Sequence, residues 1–210
     1  SEIGGRLGQP ATSLARPLGR LVDLGFVARE VPFGAAERDS KRSLYHIADP
    51  FLRTWFRFVE PNRSRLALGL LSAVEADLRR DMPSHVGAAW EELARRSVPR
   101  LTLSGRTFEP ASRYWGRSSA SGLTEIDVMA AEQGNPDHVL VGEVKLTCSD
   151  TEVDRCAAAL AARAATLPIL AGKTLSFALW IAHQPPTRPA RRRPRGLTVV
   201  TAADVMQVLR

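Results

Sequence analysis

The rhythm of apolar and polar positions changes near residue 84. Before that point apolar residues recur at helical spacing. A short helix over residues 2–7 and a turn over 9–12 precede a second helix, in which Leu14, Leu18, Leu21 and Val22 share one face and Gly25 supplies the stop. Residues 26–31 and 43–47 read as two strands joined by the polar loop PFGAAERDSKR. Asp49 as a cap and Pro50 at the first helical position predict a helix whose Phe51, Leu52, Trp55, Phe56 and Val59 form a broad packing stripe before Pro61. Leu66, Leu70, Val74 and Leu78 predict a further helix that ends before Pro83.

From residue 84 helices and strands alternate. The pattern predicts a helix over 84–98, strands near 107–115, 123–131 and 138–146, a helix over 151–165 and a strand over 175–182. A final strand, LTVV, leads into the helix AADVMQVL. The core order is αβββαβ, and the tight polar turn EQGNPD makes its second and third strands an antiparallel hairpin. These readings divide the chain into a helix-turn-helix with a two-stranded wing over 1–48, a helical linker over 49–83 and an α/β domain with a mixed sheet over 84–210.

The order of the first part resembles a winged helix-turn-helix without its first helix, which is expected before residue 1. Arg16 and Arg20, four apart on the solvent face of the second helix, suit phosphate contacts, whereas Pro17 and Gly19 leave the start of that helix ambiguous. Winged helices serve DNA binding or protein interaction, and the residues leave both open.

Composition narrows the partners. No window approaches 18 uninterrupted apolar residues and the first residues lack a leader pattern, so the expected setting is cytoplasmic, with no membrane partner. Cys148 and Cys156, without CxxC spacing or clustered histidines, indicate neither a disulfide framework nor a zinc site. The net charge of +7 points to a polyanion such as DNA. Only three of the 29 basic residues are lysines, Lys41, Lys145 and Lys173, a bias that genomic base composition alone can impose. In such a chain each surviving lysine marks a place where arginine will not serve. The run RPARRRPRG, with Arg191, Arg192 and Arg193, reads as a loop whose charge can hold a phosphate backbone.

Candidate chemistry centres on HVLVGEVKLT, residues 138–147. Side chains alternate along a strand, which puts Glu143 and Lys145 on one face with Val141 behind them and Val144 in the opposite core. Across the hairpin, EIDVMA places Asp127 on a face with Glu125, while Ile126 and Val128 point the other way. If the register brings Asp127 to Glu143, two carboxylates repel unless a cation lies between them. Mg²⁺, or Mn²⁺ in its place, suits one or two such ligands, and Lys145 can serve an attacking water. The bland alternative is a surface ion pair worth ~0 to 1 kcal/mol.

Asp127, then Glu143-Val144-Lys145 across a hairpin, after a helix containing GAAWEELARR, resembles the PD-(D/E)XK nuclease superfamily over residues 84–182. The resemblance implies a restriction-endonuclease-like fold in which Asp127 and Glu143 bind the metal and Lys145 assists the water. A helical acid completes the set, Glu91 after Trp90 or, failing that, Glu92. Glu125-Ile126 stands where the superfamily expects Pro. More narrowly, DPFLRTWFRFVEPN, HVGAAWEE, RYWGR, TEIDVMA and VGEVK, in this order, resemble the C-terminal half of archaeal-type AAA/STAND ATPases. No GxxxxGK[ST] occurs, so that resemblance implies an ATPase module upstream in the same polypeptide. Two functions follow as expectations: a metal-dependent DNA endonuclease domain, or a non-catalytic regulatory or DNA-binding module. Self-association is left open.

Overall fold

The computed structural model describes residues 2–36, 42–119, 122–185 and 196–210. Of these, 2–30 and 42–82 make one compact unit, and 31–36 together with those from 83 onward make another. None of the described helices is long and apolar enough to cross a membrane.

In the first unit α1 (Glu2–Leu7) leads through a 3-10 turn into α2 (Ala15–Asp23). Pro17 falls in the first turn of α2, where its missing amide has no intrahelical carbonyl to bond, so the helix tolerates it. Gly25 takes φ 75° and ends the helix, and β1 (Val27–Glu30) then pairs antiparallel with β2 (Leu44–Ile47). The Asp49 carboxylate accepts the Leu52 amide at 2.8 Å and caps α3 (Pro50–Thr54).

Two expectations fail in this unit. The apolar stripe after Asp49 is not a packed face: Phe51 is 68% exposed, Trp55 36% and Phe56 53%, while Phe58 is buried. Residues Trp55–Val59 form a π-helical turn, whose wider winding turns Phe58 inward in place of its neighbours. The helix expected from Leu66 to Leu78 is also interrupted. A short α4 (Arg63–Ala67) ends at Gly69, φ 70°, and α5 begins at Leu71.

α5 (Leu71–Ser97) runs through Pro83 in place of the predicted stop. The proline forfeits a bond to the carbonyl of Arg79, a cost of ~3 kcal/mol or more inside a helix. Burial of Trp90, Ala94 and Val98 beyond it offsets that loss through packing that no local pattern displays.

The second unit is built on a five-stranded mixed sheet in the order β3-β4-β5-β6-β7. β3 (Ser112–Ser118), β4 (Gly122–Glu132) and β5 (Asn135–Thr147) are antiparallel neighbours, and β6 (Thr174–His183) and β7 (Leu197–Thr201) add on in parallel. β3 starts later than the predicted 107–115, because the stretch through Pro110 keeps only an isolated bridge from Phe108 to Glu132. α6 (Asp150–Ala165) links β5 to β6, its first turn tied by the Ser149 amide donating to Glu152 Oε2 at 2.9 Å. α7 (Ala202–Leu209) closes the chain.

Each sheet face buries its own core. One holds Ile126, Met129, Val139, Val141, Leu179 and Ile181 with Val153, Leu160 and Ala164 of α6. The other holds Val128, Ala130, Leu140, Val144 and Trp180 with Trp90, Ala94 and Val98. Ile126 and Val128 therefore lie on opposite faces, against the alternation expected of EIDVMA. The cause is a bulge: Ser112 pairs with Met129 and Tyr114 with Ile126, so β4 spends one residue more than β3.

Gly142 permits the closest packing in the sheet. A Cβ there would stand 2.5 Å from the ring of Trp180 and 3.0 Å from Cβ of Val128. Trp180 is fully buried, and its indole N–H donates to Ser97 Oγ at 3.2 Å, so it cannot yield. Gly142→Ala should therefore destabilise the protein by about 1–3 kcal/mol in denaturant unfolding; an unchanged midpoint would show that the ring has room to move.

Candidate functional site

The bulge and the hairpin together place the expected acids. After an irregular Glu132↔Asn135 pair next to the turn, the β4–β5 ladder runs in register from Ala131↔Val139 to Val128↔Gly142 and ends there. Had it continued, Ile126 would face Val144. Instead the Val144 amide donates to Asp127 Oδ2 at 2.9 Å, so a side-chain carboxylate fills the notch where the strands part.

Glu143, next to that notch, is 8% exposed. It shares the α6 side of the sheet with Lys145, whose Nζ donates to Glu143 Oε1 at 2.6 Å. The other oxygen, Oε2, accepts from Nη2 of Arg163 on α6, and Arg163 Nη1 donates to the Glu125 carbonyl at 3.3 Å. Glu91 approaches from α5. The neighbouring Trp90 indole donates to the Lys145 carbonyl at 3.2 Å and anchors that helix to β5. Arg95, one turn on, lies 3.7 Å from Glu91 and donates to the Asp127 carbonyl at 3.1 Å.

Burial, with the charge of Glu143 added, pushes the Asp127 carboxyl above its ordinary value despite the Val144 amide and the nearby cations. Glu91 is likewise raised, by burial first and then by Asp127. Burial works against the Lys145 ammonium, but the hydrogen bond and charge of Glu143 outweigh it and hold the lysine above its usual value.

The donor chemistry fits a hard divalent ion, since Asp127 and Glu143 offer the one or two carboxylates that Mg²⁺ takes and Glu91 stands near. Glu143 already has a cation on each oxygen, and among the described residues no three His, Cys, Asp or Glu side chains are grouped to hold an ion as they stand. An ion would need one of those oxygens back.

Other expected residues lie elsewhere. Glu92 lines a cleft of about 370 Å³ with Arg95, Arg96, Arg100 and Leu209. Arg16 and Arg20 are exposed on α2 beside a hollow of about 690 Å³. Arg191, Arg192 and Arg193 fall outside the described residues. Cys148 and Cys156 are free thiols, and burial, then Cys156, pushes Cys148 up to about 11. His138 is buried between Glu132 at 2.9 Å and Ser176 at 2.8 Å, which satisfies both ring nitrogens. Arg163 and Arg95 went unread in the sequence because nothing distinguishes one arginine in a chain that uses the residue so often.

Residues 55–156 match the family DUF234, described as archaeal and bacterial proteins of unknown function. The matched region contains Glu91, Asp127, Glu143 and Lys145 and stops short of Arg163. The chain is also 28% identical over 147 residues to an uncharacterized protein of Methanocaldococcus jannaschii. That alignment covers 69% of this chain but 31% of the relative, so the chain matches less than a third of that protein's length. No solved structure matches the chain.

The raised Asp127 carboxyl has a pH consequence in chelator-treated protein. The folded state keeps this proton to higher pH than the unfolded chain does, so stability falls as pH rises from about 4 through the folded-state value. Asp127→Asn retains an oxygen for the Val144 amide and removes the charge. It should melt above the parent at pH 7, with the gap closing below about pH 4; a variant melting below the parent at pH 7 would show that the carboxylate stabilises the metal-free fold.

Proposed function

We propose that the second unit is a metal-dependent nuclease domain that hydrolyses DNA phosphodiesters, with a restriction-endonuclease-like core. The observation that carries the reading is that Asp127 bonds the Val144 amide, next to Glu143, across one hairpin, with Lys145 on Glu143 and the Asp127 and Glu91 carboxyls raised first by burial. Asp127 and Glu143 would hold Mg²⁺ or Mn²⁺, with Glu91 nearby. The ion would supply positive charge against the negative charge developing on the reacting phosphate.

The protein groups divide the remaining work. Lys145 stands on Glu143, where a lysine can orient or deprotonate the attacking water in a way a guanidinium cannot. Trp90 and Arg95 fix α5 to the backbone of the two acid-bearing strands and so hold the separation of the carboxylates. The cleft lined by Arg95, Arg96 and Arg100 adjoins the acids through Arg95 and offers a track for the phosphate backbone. In the first unit, the order α1, α2, β1, β2 supports a winged helix-turn-helix with Arg16 and Arg20 facing outward, and the resemblance to STAND-type ATPases makes an ATPase module of the same polypeptide the partner.

A second reading has its own support. Both Glu143 oxygens are paired with cations, which suits a regulatory or DNA-binding module whose acids serve only as ion pairs.

Metal and cleavage assays separate the two. Mn²⁺ should raise the melting temperature of the parent, and Asp127→Ala should abolish the rise. With duplex and single-stranded DNA as substrates, Lys145→Ala should lower cleavage by about 10²- to 10⁴-fold while the metal response persists, and Lys145→Arg should recover little. Parent-like cleavage by Lys145→Ala would sink the nuclease reading at this site. A parent that binds metal yet cuts nothing would favour the regulatory module.

The cleft has a separate test. Replacing Arg96 and Arg100 together by Ala should weaken DNA binding and lower the slope of log affinity against log salt by about two, one unit per phosphate contact. An unchanged slope would place the backbone elsewhere.

A further inference from the structure

Arg163 occupies the oxygen of Glu143 that an incoming ion most readily reclaims. Near the acids, Asp127, Glu143 and Glu91 already face Lys145, Arg163 and Arg95, with Arg113 also acting on Glu91. A divalent ion would add two more positive charges to a group that already holds these cations. It could not share Oε2 with a guanidinium in contact, since like charges within a few ångströms in a half-buried site repel strongly. One cation must withdraw.

Lys145 is poorly placed to leave. It stands two residues from Glu143 on the same strand and the same side, and its carbonyl is pinned by the Trp90 indole. The two cations are about equally exposed, Lys145 at 40% and Arg163 at 38%, so the difference lies in their attachment: Arg163 comes from another element, α6, on a long stem. Its fork of donors also matches a phosphate in a way that a point charge does not. The anionic phosphate of a substrate would in turn offset part of the charge brought by the ion.

We propose that Arg163 is a phosphate-binding residue that exchanges partners: it holds Glu143 while the acids are metal-free and transfers its guanidinium to the substrate phosphate when a divalent ion takes Glu143 Oε2. The inference rests on the metal-dependent nuclease reading and adds a residue and an order of events to it. Metal and nucleic acid thereby become linked, because the ion frees the group that then binds the phosphate.

The exchange has a signature of opposite signs that a merely structural arginine would not produce. Arg163→Gln removes the competitor, so Mn²⁺, titrated alone against the full chain by calorimetry, should bind about tenfold more tightly or better, the factor expected when a hydrogen bond to a charged group is lost. The same variant should bind duplex DNA about tenfold more weakly when Mn²⁺ is present, with a much smaller loss when it is absent. Arg163→Lys, which keeps the charge and the chance of folding, should show little gain in Mn²⁺ affinity and still lose DNA affinity. Asp127-dependent Mn²⁺ binding in the parent with no gain in Arg163→Gln would overturn the exchange and leave the metal reading standing. Failure of the parent and Arg163→Gln alike to bind Mn²⁺ would overturn both.

Discussion

The arrangement around the acids depends on one hydrogen bond, from the Val144 amide to Asp127 Oδ2. At that point β4 leaves the β5 ladder, and a buried strand amide without an acceptor would cost about 1–3 kcal/mol. The carboxylate supplies the acceptor, and in doing so it is drawn out of water and within range of the charge of Glu143. A structural need of the sheet and the clustering of acids are thus met by the same atom. The bulge in β4 makes this possible, since it shifts Asp127 out of the alternation that holds Ile126 and Val128 in place.

The next layer is charge balance. Burial raises the energy of every ionised carboxylate here, and Arg95, Lys145 and Arg163 lower it from three different elements. The cations also tie α5 and α6 to β4, through the carbonyls of Asp127 and Glu125. Trp90 and Trp180 do the corresponding work in the apolar layer: one anchors α5 on the Lys145 carbonyl, and the other packs over Gly142. The acids therefore sit on a rigid frame while the ends of Lys145 and Arg163 remain partly open to solvent.

Much of this frame was readable along the chain. The β4–β5 hairpin, α6, β6, β7 and α7 lie close to where the alternation and the turn EQGNPD put them, because strands buried on both faces leave a continuous apolar run. Misreadings occurred where local rules met longer-range forces. Local rules make Pro83 a stop, yet packing carries α5 through it. Helical spacing makes Phe51, Trp55 and Phe56 a packing stripe, yet across a π-helical turn Phe58 is buried and those three are exposed.

The sequence by itself determined the mixed α/β character, the hairpin that carries Asp127 and Glu143, and the placement of Glu143 and Lys145 on one face of a strand. These follow from period-two alternation and turn chemistry, which act between near neighbours and leave their mark in residue order. Only the tertiary structure decided that Asp127 caps a strand amide, that Arg163 from α6 takes the second oxygen of Glu143, and that Arg95 links the acids to an arginine-lined cleft. Those contacts join residues 17 to 32 positions apart. Their geometry is set by the bulge and by how the helices lie on the sheet, neither of which has a period or spacing that the chain displays.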